Sequence, residues 1–300
     1  MATIKGTKGV LFAFVCYITW GMFPLYWNLL AGLPSLTILA NRMLWSAVFM
    51  IILVLISNRK EFLRVLGKRK NILLMSVTGI LITVNWGTYI YAVNNGHIIE
   101  ASLGYYINPL INVLLGVIVM GEKLTKPQRI ATFLALIGVS YFTWDFGSFP
   151  WISIILAGSM GLYGMVKKKA NLPPISALTI ETLLIAPIAL IYLFFAINKG
   201  EFVLSNLSAE ISMLLVLSGI VTALPLYWFA KAANVVPLST MGFIQYISPT
   251  LQLLLGIFVF GEKFTLAHFV CFAFIWTGLF LLMGGMIRNK IRERNKTLNA

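Results

Sequence analysis

Apolar stretches of about twenty residues follow one another along the whole chain, separated by short polar connections, and few polar side chains interrupt them. A helix of that length crosses roughly 30 Å of hydrocarbon, and only a helix or a closed barrel satisfies its own backbone there. Windows of this kind fall at residues 9–30, 35–57, 71–94, 98–120, 127–145, 149–167, 174–197, 209–231, 237–260 and 265–287. The expected fold class is an all-α membrane protein with ten transmembrane helices. The connections carry their own signals in Gly32-Leu33-Pro34, Asn94-Asn95-Gly96, Asp145-Phe146-Gly147 and Pro173-Pro174. No connection is long enough to form a domain.

One pattern occurs twice. The run from Gly104 to Thr125, GYYINPLINVLLGVIVMGEKLT, meets IQYISPTLQLLLGIFVFGEKFT at Ile244 to Thr265, 140 positions later, with 11 of 22 residues identical. Each copy opens on Tyr-Ile-x-Pro and closes on Gly-Glu-Lys. Proline donates no backbone hydrogen bond and frees a carbonyl one turn earlier, so the break is expected to face a cavity rather than lipid. The duplication predicts two five-helix repeats, at 9–145 and 149–287, followed by a basic cytoplasmic tail at 288–300. Five is odd, so the second repeat starts on the opposite face of the membrane. The repeats are therefore expected to be inverted.

Composition agrees, with 59% hydrophobic and only 11% charged residues, where a soluble domain needs about a quarter charged to cover its surface. The net charge of +14 changes the picture only through its placement. With the N-terminus inside, twenty Lys and Arg residues fall on the cytoplasmic side, including the Arg59–Lys70 and Lys167–Lys169 clusters, against Lys199 and Lys263 outside. Both termini are expected in the cytoplasm, and no nucleic-acid partner is expected. Cys16 and Cys271 stand alone in apolar segments and read as packing residues. Gly158, Gly161 and Gly164 read as small residues that let helices approach closely.

Several runs carry a family resemblance over about residues 5 to 288: Trp20-Gly21-Met22-Phe23-Pro24-Leu25-Tyr26-Trp27, Asn41-Arg42-Met43-Leu44-Trp45-Ser46, Asn85-Trp86-Gly87, and Glu100-Ala101-Ser102-Leu103-Gly104-Tyr105-Tyr106-Ile107-Asn108-Pro109. In the second half the matching runs are Thr222-Ala223-Leu224-Pro225-Leu226, Pro237-Leu238-Ser239-Thr240 and Gly242-Phe243-Ile244-Gln245-Tyr246-Ile247. The chain resembles the RarD branch of the EamA-type drug/metabolite transporter superfamily. The resemblance implies two five-helix EamA units in a bacterial inner membrane. It also implies cargo that is amino-acid-like or chloramphenicol-like, with export as the direction. Where that family usually reads His-Arg in the second helix, this chain has Asn41-Arg42.

A charge within a span costs a few kcal/mol, so each one asks for a reason. Arg42 lies about 10 Å below the outer surface and Glu181 about 10 Å from the inner one, at about 1.5 Å per helical residue. The guanidinium suits a substrate carboxylate or phenolate, which it binds bidentately, or else a structural partner, for which Glu100 is the candidate. Glu100 and Glu181 are candidates for proton coupling or gating. The uncharged candidates for substrate contact are Asn85, Trp86, Tyr89, Tyr105, Tyr106, Asn108, Tyr227, Gln245 and Tyr246. Interhelical hydrogen bonds and interfacial aromatic belts are the bland alternatives, the latter for Trp27, Tyr91 and Trp151. Glu122-Lys123 and Glu262-Lys263 read as helix-end caps or gates. No Walker loop, His-Glu-x-x-His element or nucleophile elbow occurs, so neither an enzyme nor a cofactor or metal is expected. The expected function is secondary transport of a small amphipathic molecule by alternating access. Proton-independent exchange and a non-transporting sensor stand as alternatives, and the oligomeric state is open.

Overall fold

The computed structural model describes residues 2–57, 59–94, 97–147, 149–200, 207–261 and 264–298. Every regular element among them is an α-helix. The order is α1 (Ala2–Asn28), α2 (Ser35–Ile56), α3 (Arg59–Leu66), α4 (Arg69–Asn94), α5 (Ile98–Ile118), α6 (Lys126–Phe146), α7 (Trp151–Ala170), α8 (Pro174–Asn198), α9 (Ala209–Ala233), α10 (Leu238–Gln245), α11 (Ile247–Phe258) and α12 (Leu266–Leu298). Eight segments are long and apolar enough to cross a membrane, with α10 and α11 together forming one of them. The long helices α6 and α7 are not among the eight, because Arg129 and Asp145 in one and Lys167 to Lys169 in the other dilute their apolar content.

One feature differs from expectation. The short helix α3 occupies a stretch read as loop: its Phe62, Val65 and Leu66 pack with Met75, Ala177 and Ile180 while Arg59, Lys60 and Arg64 share the same helix. At the other end of the chain α12 runs on as far as Leu298.

Side-chain caps open α6 and α9, and left-handed residues close α6 and α7. Thr125 and Gln128 form a capping box at the start of α6, with Pro127 in its first turn. The two Gly-Glu-Lys motifs both require glycine, because Gly121 and Gly261 take φ of 67° and 68°, where a Cβ would clash with the backbone. They are 140 residues apart, so the duplication reproduces backbone geometry as well as letters.

The halves interdigitate. The chief contacts pair α6 with α12, α5 with α7, α2 with α8 and α9, α4 with α7 and α8, α1 with α9 and α11, and α10 with α5. Each pair joins the first half to the second. Exchanging every helix for its counterpart 140 residues away turns the set into itself. The α6–α12 crossing shows this atom by atom: a Cβ on Gly138 would lie 2.9 Å from the Cys271 carbonyl oxygen, and one on Gly278 would lie 3.0 Å from the Ala131 Cα. Gly138 corresponds to Gly278 and Ala131 to Cys271. A two-fold rotation between the halves produces such reciprocal contacts.

The Tyr-Ile-x-Pro motif behaves differently in its two copies. Around Pro249 the helix is interrupted at Tyr246, which separates α10 from α11, whereas α5 runs uninterrupted through Pro109. Both prolines are buried. The motif is expected to face a cavity, but its Pro109 copy packs against protein: a Cβ on Gly242 would sit 2.6 Å from the Pro109 carbonyl oxygen. Two helices that meet backbone to backbone leave no room for a vestibule there. Gly161 and Gly164 do serve close packing, against Ile111 and Phe229, while Gly158 borders open space.

The α2–α9 crossing depends on Gly219, whose missing Cβ would overlap the backbone of Trp45. Gly219→Ala should therefore lower stability by about 1–3 kcal/mol, the usual cost of overpacking. Gly158→Ala should be close to neutral. Thermal unfolding of the two variants in detergent checks the contrast.

Candidate functional site

Arg42 projects from the second turn of α2 toward α1, α4 and α9. Its Nε donates to Thr222 Oγ1 at 3.2 Å, and its guanidinium carbon lies 4.6 Å from the Trp27 ring centroid and 4.0 Å from that of Trp86. Two indole faces stabilise a desolvated guanidinium by cation–π attraction but bring no negative charge. Among the described residues no carboxylate lies within 4 Å of it. Tyr89 and Tyr105 stand edge to face at 5.9 Å between centroids, both within electrostatic range of the same cation.

The expected partnership of Arg42 with Glu100 is not formed. Glu100 Oε1 accepts the Ile152 N–H at 2.8 Å, Oε2 lies 3.7 Å from His97 Nδ1, and the Glu100 carbonyl accepts the Ser153 hydroxyl. The N–H groups of α7's first turn have no acceptor within their own helix, and a neighbouring carboxylate is drawn to them.

Glu181, on α8, sits in a different kind of site. Its Oε2 lies 2.5 Å from Lys167 Nζ and accepts the Thr78 hydroxyl at 2.5 Å, while Oε1 accepts the Tyr163 hydroxyl at 3.2 Å. The two charged side chains are 3% and 2% exposed, which makes this an interior ion pair. Lys167 belongs to a basic run expected at the cytoplasmic surface. It instead turns inward from the last turns of α7, because Glu181 offers a desolvated carboxylate within reach of its stem.

A narrow cleft connects the two places. Met43, Ile82, Trp86, Glu181, Thr182, Ile185, Thr222 and Leu226 line it, so it touches the Arg42 cluster at Trp86 and Thr222 and the ion pair at Glu181. It has room for a water molecule and is too narrow for a drug-sized ligand.

The remaining candidates separate into other environments. The Asn85 amide donates to the Leu156 carbonyl at 2.8 Å and to Ser159 Oγ at 3.0 Å, tying α4 to α7. Asn108 and Gln245 are buried where α5 meets α10, and both accept from the Asn112 amide, at 3.4 and 2.6 Å. Tyr106 and Tyr246, 140 residues apart, are both core residues with Phe142, Ala135 and Ile275 on the α6–α12 side. Tyr227 shares Lys231 with Phe12: the ammonium lies 4.6 and 4.8 Å from the two ring centroids. Of the expected set, Arg42, Trp86, Tyr89 and Tyr105 come together, Glu181 borders the same cleft, and the others lie apart. Sequence reasoning missed Lys167, Thr78, Tyr163 and Thr222, and left Trp27 to the interfacial belt.

Glu122 caps a helix of the other half. It accepts from the Leu238 and Ser239 N–H groups at 2.6 and 2.9 Å and from the Ser239 hydroxyl at 2.7 Å, with Lys168 Nζ 3.9 Å away. Gly116 makes this possible, since a Cβ there would lie 2.7 Å from Glu122 Oε2. Glu262 and Lys263, the second copy of the motif, lie outside the described residues.

The comparisons with known proteins fall on the same architecture. The EamA-like transporter family model matches twice, over residues 7–144 and 149–284. The chain belongs to the EamA-like transporter family. Within it the chain falls in the RarD branch, as its relatives show. It is 41% identical over 273 residues to protein RarD of Escherichia coli, covering 91% of this chain and 92% of that one. It is 44% identical over 287 residues to the uncharacterized transporter YojE of Bacillus subtilis, covering 94% and 96%. Chloramphenicol-sensitive protein RarD of Pseudomonas aeruginosa is 28% identical over 279 residues, covering 91% and 93%. A solved crystal structure of 17% identity shares the fold at a TM-score of 0.69, covering 92% of this chain and 97% of that one. The EamA chain is thus a multi-pass membrane protein, and its family and relatives indicate a transporter of small molecules rather than an enzyme.

Removing one partner of the interior ion pair leaves a buried charge uncompensated. Lys167→Met should cost about 3–5 kcal/mol, and adding Glu181→Met should restore most of it, because an apolar pair of similar volume is often neutral. Thermal unfolding of the single and double variants in detergent measures both.

Proposed function

We propose that this EamA protein is a secondary transporter that moves a small amphipathic metabolite or drug by alternating access, with Arg42 and the aromatic rings around it as the cargo contact. The observation that carries the reading is the guanidinium itself: a cation within a membrane segment, flanked by Trp27 and Trp86, with no carboxylate within 4 Å among the described residues. Such a charge is expensive, and a substrate carboxylate or phenolate would relieve it in the bidentate geometry that arginine favours. Trp86, Tyr89 and Tyr105 add apolar and stacking surface for the body of the molecule.

In this reading ten helices cross the inner membrane with both termini in the cytoplasm, as the placement of Lys and Arg favours, and the two repeats have opposite orientations. The arrangement puts Arg42 in the outer half and the Lys167–Glu181 pair in the inner half. The paired charges of the inner half and the unpaired guanidinium of the outer half suit a form that accepts or releases cargo on the outer side. Export is proposed from the family resemblance.

Glu181 acts as a gate in this scheme, because its carboxylate holds α4 and α7 to α8 through Thr78, Tyr163 and Lys167. The same contacts favour exchange or facilitated movement without proton coupling there, since Lys167 already supplies the positive charge a proton would bring. Glu100 is assigned to holding α7.

Flux in proteoliposomes tests the proposal. Arg42→Gln should reduce transport at least tenfold, whereas Tyr106→Phe, on the far side of the core, should leave it within about twofold. Equal loss in both variants, or none in either, would remove Arg42 from the site. For the gate, Glu181→Gln should change flux by the same factor with and without a pH gradient. A loss confined to gradient-driven uptake would instead make Glu181 a coupling site.

A further inference from the structure

We propose that α3 and the turn after it form a docking site for the headgroup of an anionic phospholipid, whose acyl chains lie along the exposed face of α4. The inference is independent of the cargo and of the Arg42 cluster.

The stretch Arg59–Lys70 joins two segments long and apolar enough to cross a membrane, Ser35–Ile56 and Arg69–Ala92, so it lies where the chain leaves the hydrocarbon and returns to it. It carries six basic residues, Arg59, Lys60, Arg64, Lys68, Arg69 and Lys70, against one carboxylate, Glu61. All six are exposed, and among the described residues none has a carboxylate within 4 Å. The Lys167–Lys169 cluster behaves differently. There Lys167 pairs with Glu181, and Lys168 lies 3.9 Å from Glu122 and donates to the Val236 carbonyl at 2.5 Å. The protein satisfies the charges of one cluster and leaves those of the other to what lies outside it.

The short helix is held in place. Phe62, Val65 and Leu66 pack with Met75, Ala177 and Ile180, and the Asn71 amide donates to the Val65 carbonyl at 2.9 Å. Successive residues of a helix turn by about 100°. With that face inward, Lys60 and Arg64 fall on the outward side, Arg59 and Leu63 on one flank and Glu61 on the other. Leu63 is 52% exposed, an apolar side chain set among three cations. A helix lying in a membrane interface has this pattern, with its apolar flank toward acyl chains and its basic residues level with the phosphates.

The neighbouring helix supplies the other half of the site. Lys70, Leu73, Val77 and Ile80 are spaced to share one face of α4, and the last three are exposed apolar side chains. Such a stripe on a spanning helix meets acyl chains, and Lys70 stands at its end, where headgroups begin. A phospholipid laid on the stripe therefore brings its phosphate to Lys70, Arg69 and the basic side of α3. Setting the orientation of a membrane chain requires only that basic residues collect on one side. A rigidly held helix with its cations beside an exposed apolar stripe goes further and provides a matched surface for one lipid. Clusters of about four to eight Lys or Arg next to a span attract anionic lipid. Phosphatidylcholine carries its own cation, which these residues repel.

Native mass spectrometry of the purified full chain in detergent, titrated with phosphatidylglycerol and phosphatidylcholine in equal amounts, tests this. Phosphatidylglycerol should bind in preference by roughly tenfold or more, and the triple variant Arg59→Gln, Lys60→Gln, Arg64→Gln should lose most of that preference. Lys70→Gln, which leaves α3 untouched, should weaken phosphatidylglycerol binding by roughly threefold or more. The variant Lys123→Gln, Lys126→Gln, Arg129→Gln removes the same charge elsewhere and should stay within about twofold of wild type. Inorganic phosphate at the concentration of the lipid should leave the bound lipid in place. Equal affinity for the two lipids overturns the inference, as does displacement by phosphate, which would make this a site for a free anion. No loss in the α3 variant or in Lys70→Gln also overturns it, and so does an equal loss in the Lys123 variant, which would reduce the effect to the overall charge of the protein.

Discussion

The ion pair between Lys167 and Glu181 constrains the rest of the architecture, because two charges that are 3% and 2% exposed must have each other. Desolvating both costs several kcal/mol, and only short contacts with further hydrogen bonds offset it. Those bonds come from Thr78 on α4 and Tyr163 on α7. The carboxylate therefore fixes where α4, α7 and α8 stand relative to one another, and α4 belongs to the first half while the others belong to the second. From there the position of Trp86 on α4 follows, and with it one of the two rings that hold Arg42.

Duplication explains why so few devices build so much of the molecule. A single glycine-and-small-residue contact, made twice in reciprocal form, joins α6 to α12, and a single tyrosine, present as Tyr106 and Tyr246, fills the layer beside it. Where the copies agree, they serve packing. Where they disagree, charge is distributed unevenly: Arg42 and Glu181 fall at roughly corresponding positions of the two repeats with opposite charge, and only Glu181 has an ionic partner among the described residues. A duplicated fold acquires an asymmetric site only at positions where the repeats have diverged.

The sequence made the architecture legible and the site only in part, for one physical reason. Helix length, glycine punctuation and the 140-residue echo are local signals, and they survive in the fold almost unchanged. Arg42 and Glu181 were also legible, since a charge in an apolar run stands out. Partnership was not. Lys167 looked like one of three surface lysines because nothing local says which way a long side chain turns, and the answer depended on a carboxylate 14 residues later in the chain. Glu100 looked like a neighbour of Arg42 by depth alone, yet the N–H groups at the start of α7 compete for it and win. Tyr106, Tyr246, Asn108 and Gln245 were chosen for their chemistry, but the pseudo-symmetric packing directs them into the protein rather than into the cleft. Helical periodicity shows which residues share a face, and the partner of that face is known only once the halves have interdigitated.

The same interdigitation limits how the molecule can move. Glu100 binds the start of α7 and Glu122 binds the start of α10, so two carboxylates from the first half hold helix N-termini of the second. Each contact combines hydrogen bonds with the attraction of a carboxylate for a helix N-terminus, and each weakens sharply once the helix end withdraws. A motion that separates the halves at one end must therefore release one of these caps, and it can leave the other in place as a pivot. The Lys167–Glu181 pair lies on the same cross-half seam through Thr78. Opening the cleft from its closed end thus means breaking a defined set of polar contacts together, and a structure held in that way favours discrete arrangements over continuous deformation.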